Sequence, residues 1–107
     1  MSRQIQEAYI VSATRTPIGK APKGMFKNTR PDDLLVAALR GALSQVPTLD
    51  PKVIDDAIVG CAIPEAEQGL NVARIGLLLA GLPNTVGGVT VNRFCASGLT
   101  AIAMAAN

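Results

Sequence analysis

Apolar and polar positions recur with different periods along the chain, and each change of period predicts an element. The run Ala8-Tyr9-Ile10-Val11-Ser12 is β-rich without alternation, as in a strand covered on both faces of a parallel sheet, and Thr16-Pro17-Ile18-Gly19 turns the chain after it. From Pro31 the period lengthens, and Leu34, Leu35, Ala38, Leu39, Ala42, Leu43 and Val46 fall on one stripe of a helix. Pro31 near the first helical position, with Asp32 and Asp33 in the first turn, suits the start of that helix, and Pro47 closes it. After a turn at Asp50-Pro51, the run Ala57-Ile58-Val59-Gly60-Cys61-Ala62-Ile63 predicts a second buried strand that Pro64 stops. Asn71 is placed to cap a helix from Val72 to Ala80, with Arg74 exposed and Gly81 and Pro83 ending it. Val89-Thr90-Val91, after the flexible pair Gly87-Gly88, predicts a third strand. The segment from Gly98 to Ala106 has helical residues and almost no polar face, which predicts a buried helix.

Strand, helix, strand, helix, strand, helix is the order of an α/β fold, βαβαβα, with a mainly parallel sheet and a buried helix after the third strand. Three strands cannot cover an all-apolar helix on every side. Further sequence downstream, or another chain, is therefore expected to complete the cover.

Composition narrows the picture. One domain is the natural size for 107 residues, and a hydrophobic share of 49% with 17% charged residues excludes disorder. Aromatic residues are only 3%, so the core is built from Ala, Val, Ile and Leu. A net charge of +2 does not argue for nucleic acid or another polyanion. Locally the charge is less even: Arg15, Lys20, Lys23, Lys27 and Arg30 occur without an acid among them, in a stretch broken by Pro22 and Gly24. That stretch reads either as a solvated loop or as a surface facing phosphate groups. The apolar stretches Ile75 to Leu82 and Leu99 to Ala106 are too short to span a membrane. The first residues lack the apolar core of a signal peptide, and two cysteines are too few for a disulfide framework. A reducing, cytoplasmic setting is expected.

The chain has no histidine, which excludes a Ser-His-Asp triad, a Cys-His dyad and a His-ligated metal site built from these residues alone. No metal site is expected. The stretch with most chemical content is Val89-Thr90-Val91-Asn92-Arg93-Phe94-Cys95-Ala96-Ser97-Gly98-Leu99, which places Cys95 past the carboxyl end of a strand and at a helix start. Open α/β sheets put their ligands there, and a helix amino terminus favours a thiolate over a thiol. Small residues at Ala96, Ser97 and Gly98 leave the sulfur approachable. The competing reading is that Cys95 is a packed small hydrophobe, as most free cysteines are. Three other chemistries fail on spacing. The hydrolase elbow needs glycines where Arg93 and Ser97 stand, a redox pair would need a cysteine at Gly98, and no phosphate-loop or dinucleotide motif occurs. Cys61, inside an apolar strand, is expected to be structural, and Tyr9 and the methionines are expected in the core.

These segments together resemble the amino-terminal part of the thiolases. The likeness runs through Tyr9-Ile10-Val11-Ser12-Ala13-Thr14-Arg15-Thr16-Pro17-Ile18-Gly19-Lys20, Pro31-Asp32-Asp33-Leu34, Asn71-Val72-Ala73-Arg74 and Asn92-Arg93-Phe94-Cys95-Ala96-Ser97-Gly98. Glu65-Ala66-Glu67-Gln68-Gly69-Leu70-Asn71 and the Asn-Arg-Phe-Cys form look more like degradative 3-ketoacyl-CoA thiolases than biosynthetic acetoacetyl-CoA ones.

The resemblance implies thiolytic acyl transfer in fatty-acid β-oxidation. Cys95 would be the nucleophile, with its own backbone N–H as one oxyanion donor, and coenzyme A would be a co-substrate with no bound cofactor. It also implies a homo-oligomer in which Val89, Thr90, Val91 and Asn92 lie near the subunit contact. Thiolases are several times longer, and their activating histidine and second, acid/base cysteine lie in the carboxyl-terminal half. Residues 1–107 are thus expected to be an incomplete amino-terminal domain, inactive alone, with the residues that grip coenzyme A unassigned. Two rivals remain: a biosynthetic thiolase or condensing enzyme with the same nucleophile, and a non-catalytic lipid-binding or dimerisation module.

Overall fold

A computed structural model describes residues 4–107. Helix α1 (Pro31–Ser44) is followed by strand β1 (Asp56–Gly60), helix α2 (Val72–Leu79), strand β2 (Gly87–Val91) and helix α3 (Ser97–Ala106). Short 3-10 turns at Pro51–Val53, Ala66–Gln68 and Phe94–Ala96 lead into β1, α2 and α3. The two strands pair in parallel, with Asp56 opposite Gly87 and Gly60 opposite Val91. The α/β class with a parallel sheet thus holds.

Strand alternation sets the layers. On β2, Gly88 lies against the backbone of Arg74 and the Thr90 hydroxyl accepts from the Ala73 N–H at 3.1 Å, so this face carries α2. Gly60, paired with Val91, has the opposite parity and lies against Ser97 and Gly98 of α3. The two helices therefore cover opposite faces of the sheet. Helix α1 packs on the outer side of α2. Val36, Val72, Ala73, Leu77, Val86 and Cys61 form the core between them.

Local signals set the starts of α1 and α2 as expected, while α1 ends at Ser44, ahead of Val46 and Pro47, and α2 at Leu79. Pro31 opens α1, and the Asn71 side chain accepts from the Arg74 N–H at the start of α2. After α2 the chain turns at Gly81 with φ +89, a backbone state that an L side chain resists.

Several expectations are corrected. Residues 8–12 form no strand: Ile10 and Val11 are 80% and 72% exposed, and Tyr9 is exposed with them. A strand exists only as one side of a ladder, and among the described residues this segment's backbone pairs with no other backbone; its one bond to a neighbouring main chain runs from the Ser12 hydroxyl to Ala42 O at 2.7 Å. Instead the Gln45 side chain, at the end of α1, accepts from the Ala13 N–H at 3.1 Å and donates to its carbonyl at 2.8 Å. The sheet therefore has two strands among the described residues, not three. Helix α3 is not buried either. Only Ser97 and Ala101, one turn apart, are buried, while Leu99 is 73% exposed and Ile102 and Met104 are exposed.

Gly87 and Gly88 belong to β2 rather than to a flexible lead-in, because a side chain at Gly88 would collide with Arg74 Cα at 2.7 Å. Arg74 is half-buried, not exposed, and its guanidinium donates to the carbonyls of Val86 at 2.5 Å and Asn84 at 3.1 Å. The second strand stops at Gly60, although the Cys61 N–H still donates to Val91 O at 2.9 Å. Met25 and Met104 lie at the surface, and Met1 falls outside the described residues.

Candidate active site

The sheet delivers its second strand directly into the turn that carries Cys95. The 3-10 turn Phe94–Ala96 intervenes between β2 and α3, so Cys95 stands two residues ahead of the first helical residue. The thiol of Cys95 is exposed and that of Cys61 is buried. Cys61 is buried, as expected of a structural cysteine, and of the two readings open for Cys95 its exposure disfavours a packed small hydrophobe.

The turn has its own side-chain scaffold. Asn92 Oδ1 accepts from the Phe94 N–H at 2.9 Å, a local bond of the kind Asn makes in turns. Ser97 Oγ accepts from the Arg93 N–H at 2.8 Å and donates to the Phe94 carbonyl at 2.7 Å. Between these bonds Phe94 takes φ +51, a left-handed conformation rare for a side chain branched into a ring. The phenyl ring itself is exposed beside Cys95. Sequence reading placed Ser97 only as a small neighbour. Its hydroxyl has a task set by where the Arg93 and Phe94 backbone groups point, which the residue types alone do not give.

Beneath this turn, Gly60 makes room for α3. An added Cβ there would meet the Gly98 N and the Ser97 carbonyl carbon, both at 2.5 Å. On the other face, Asn71 ties α2 to β2: its amide donates to Gly88 O at 2.9 Å and its oxygen accepts from the Thr90 hydroxyl at 2.7 Å. Val89, Thr90 and Val91 sit on β2, with Asn92 just past its end; the strand's one paired neighbour is β1, leaving the other edge of β2 without a ladder among the described residues.

The basic stretch is an exposed series of turns, with the Gly24 N–H donating to Lys20 O at 2.6 Å. Arg30 is not part of a free cationic surface, since its guanidinium grips Asp32 through two bonds of 3.0 Å. That contact holds the Asp32 carboxyl below the usual carboxylate range, the hydrogen bond from Arg30 being the largest cause. Among the described residues no group of three or more Cys, Asp or Glu is placed to hold a metal ion. No described helix is long and apolar enough to cross a membrane.

A parallel sheet covered by helices on both faces, with an exposed cysteine in the turn after a strand, defines an α/β chain that carries this cysteine at the carboxyl end of the sheet. The family description "Thiolase, N-terminal domain" matches residues 8–107, and the chain belongs to the thiolase family through that domain. It is 54% identical to a 3-ketoacyl-CoA thiolase of Bacillus subtilis over 102 residues, which cover 95% of this chain and 26% of that protein. A 3-ketoacyl-CoA thiolase of a Shewanella species is 46% identical over the same shares. Among solved structures, the acetyl-CoA acetyltransferase of Bacillus anthracis matches with a TM-score of 0.82 and 39% identity, over 91% of this chain and 24% of that one. The corresponding enzyme of Syntrophomonas wolfei matches with a TM-score of 0.78 and 35% identity, over the same shares. The chain spans about a quarter of the length of the curated relatives it matches.

Proposed function

We propose that this chain supplies the nucleophile, Cys95, of a thiolase that cleaves 3-ketoacyl-CoA into acetyl-CoA and a shortened acyl-CoA. The observation that carries the reading is an exposed thiol held in a strained turn, inside the segment that matches the family. In the first half-reaction the Cys95 sulfur, having given up its proton to a base, bonds to the keto carbon. The neighbouring carbon–carbon bond then breaks, and the departing enolate takes a proton to become acetyl-CoA. In the second, the thiol of a free coenzyme A loses its proton, bonds to the acyl carbon and releases Cys95. The Cys95 backbone N–H is one donor for the developing oxyanion. No histidine exists in these 107 residues, so the base and the enolate's acid come from outside them. This chain by itself is an incomplete amino-terminal domain without turnover. Coenzyme A acts as a co-substrate, in a cytoplasmic enzyme of β-oxidation.

The assembly is read as a homo-oligomer with Val89 to Asn92 near the subunit contact, which the unladdered edge of β2 supports. A second reading, the biosynthetic acetoacetyl-CoA reaction, draws on the acetyl-CoA acetyltransferase names of the two structural relatives. Chain-length preference in the complete protein separates the two, because a degradative enzyme accepts long 3-ketoacyl-CoA while a biosynthetic one favours the four-carbon substrate.

Peptide mapping after limited iodoacetamide treatment is the direct test of the site. Native material is expected to label at Cys95 well before Cys61, with Cys61 reacting once urea opens the fold. Equal labelling of both thiols in the native chain, or measurable thiolase turnover by the pure 107-residue chain, would refute the reading as stated. Labelling at neither thiol would favour a binding module with a packed cysteine.

A further inference from the structure

Ser97 is 3% exposed, yet it carries a hydroxyl into a place where alanine would fit. That hydroxyl accepts from the Arg93 N–H at 2.8 Å and donates to the Phe94 carbonyl at 2.7 Å. Only a group that donates and accepts at one atom can do both. The two backbone partners lie immediately before Cys95 in the chain, and Ser97 lies after it as the first residue of α3. Cys95 is therefore enclosed in a loop whose two ends one side-chain oxygen ties together. A third bond, from the Ala96 N–H to Arg93 O at 3.1 Å, closes the same loop through the backbone.

The far side of this tie is closely packed. Ser97 and Gly98 press against Gly60 of β1, where even one added carbon would find backbone at 2.5 Å. The near side is under strain, because Phe94 is held at φ +51 while its ring stands exposed, with little packing to keep it there. Loss of the Ser97 hydroxyl would leave the Phe94 carbonyl and the Arg93 N–H without that partner and let the left-handed residue relax.

We infer that Ser97 is a positioning residue for acyl transfer, which fixes the direction of the Cys95 thiol by bonding the backbone on its amino-terminal side to the rigid start of α3. The inference rests on the reading of Cys95 as the nucleophile. Acyl transfer needs the sulfur aimed at a carbonyl carbon with an oxyanion donor alongside, and small misplacements are costly. Alkylation by a small reagent needs access far more than aim.

S-phenyl thioacetate is a suitable probe because its reaction with a thiol needs no second protein group. The Cys95 sulfur bonds to the acetyl carbon, the bond from that carbon to the phenyl sulfur breaks, and the thiol's proton passes through solvent to the departing thiophenolate. Acetylation is followed by peptide mass and alkylation by iodoacetamide in parallel, in the native chain, in Ser97→Ala and in Val36→Ala. The last variant loosens the core at α1 without touching the turn.

Ser97→Ala is expected to acetylate Cys95 about tenfold more slowly. Its alkylation at Cys95 should be unchanged or faster, and Val36→Ala should keep the native ratio of the two rates. In the native chain the Arg93 amide should exchange its hydrogen slowly, a reading that needs no variant. A Ser97→Ala chain with the native ratio overturns the inference, as does a Val36→Ala chain with an equal loss, or rapid exchange at Arg93. Failure of the nucleophile reading shows differently: Cys95 of the native chain would then acetylate no faster than in urea-unfolded chain, before any variant is compared.

Discussion

Asp32 shows how one residue's surroundings become a property of the protein. It is 5% exposed at the first turn of α1, with both carboxylate oxygens on the Arg30 guanidinium. Its pKa in the folded chain lies below the ordinary value, so the folded state holds that proton less tightly than the unfolded state. The contact's contribution is therefore complete above the unfolded value of about 3.9 and is lost as pH falls through the lower folded value. Arg30→Gln is expected to unfold at lower urea than the parent at neutral pH. The gap should close as pH falls below the unfolded value of about 3.9 and through the lower folded value, as followed by urea midpoints across a pH series. A gap independent of pH would mean that the arginine acts through packing. At this scale Cys95 was legible from its place after an apolar run and before a helical one. The work of Ser97 and Asn92 was not, because it depends on where backbone groups 93 and 94 point, and left-handed Phe94 sets that direction against the usual preference for its residue type.

Among the elements, three glycines separate backbone freedom from space. At Gly60 a methyl group would meet the backbone of Ser97 and Gly98, so Gly60→Ala should cost about 1–3 kcal/mol by forcing α3 off β1. Gly98 sits in a helix with nothing within 4 Å of an added Cβ, and Gly98→Ala should gain about 0.5–1 kcal/mol. Gly81 also has open space but a φ of +89, so Gly81→Ala should lose about 1–2 kcal/mol through the backbone alone. Denaturation midpoints of the three variants should therefore fall on both sides of the parent. The helices α1 and α2 were readable because their ends carry local chemistry, in Pro31, Asn71 and Gly81. Strands β1 and β2 were readable as apolar runs, and Gly60 and Gly88 on them let helices approach the two faces of the sheet. The run Ala8 to Ser12 has the same character and forms no strand, since pairing belongs to two segments and composition describes only one.

Across the whole molecule, apolar surface is divided unequally. Val36, Val72, Ala73, Leu77 and Val86 are buried among α1, α2 and the sheet, whereas Leu99 and Ile102 on α3 and Ile10 and Val11 near the amino terminus face solvent. Exposed apolar surface of this kind drives association. The 107-residue chain is expected to sediment as a concentration-dependent mixture, and Leu99→Glu with Ile102→Glu should shift it toward the monomer. Sedimentation independent of concentration would count against an adhesive α3 face. The amino-terminal segment adds a different property. Gln45 stands beside Ala13 as a side chain doing what a neighbouring backbone does in a ladder, one bond given and one taken. A strand arriving there would take over both bonds one for one and release Gln45 to water. The segment is thus moored by a clasp that can be exchanged without any net loss of hydrogen bonds, and its partner is a matter of which amide reaches it first.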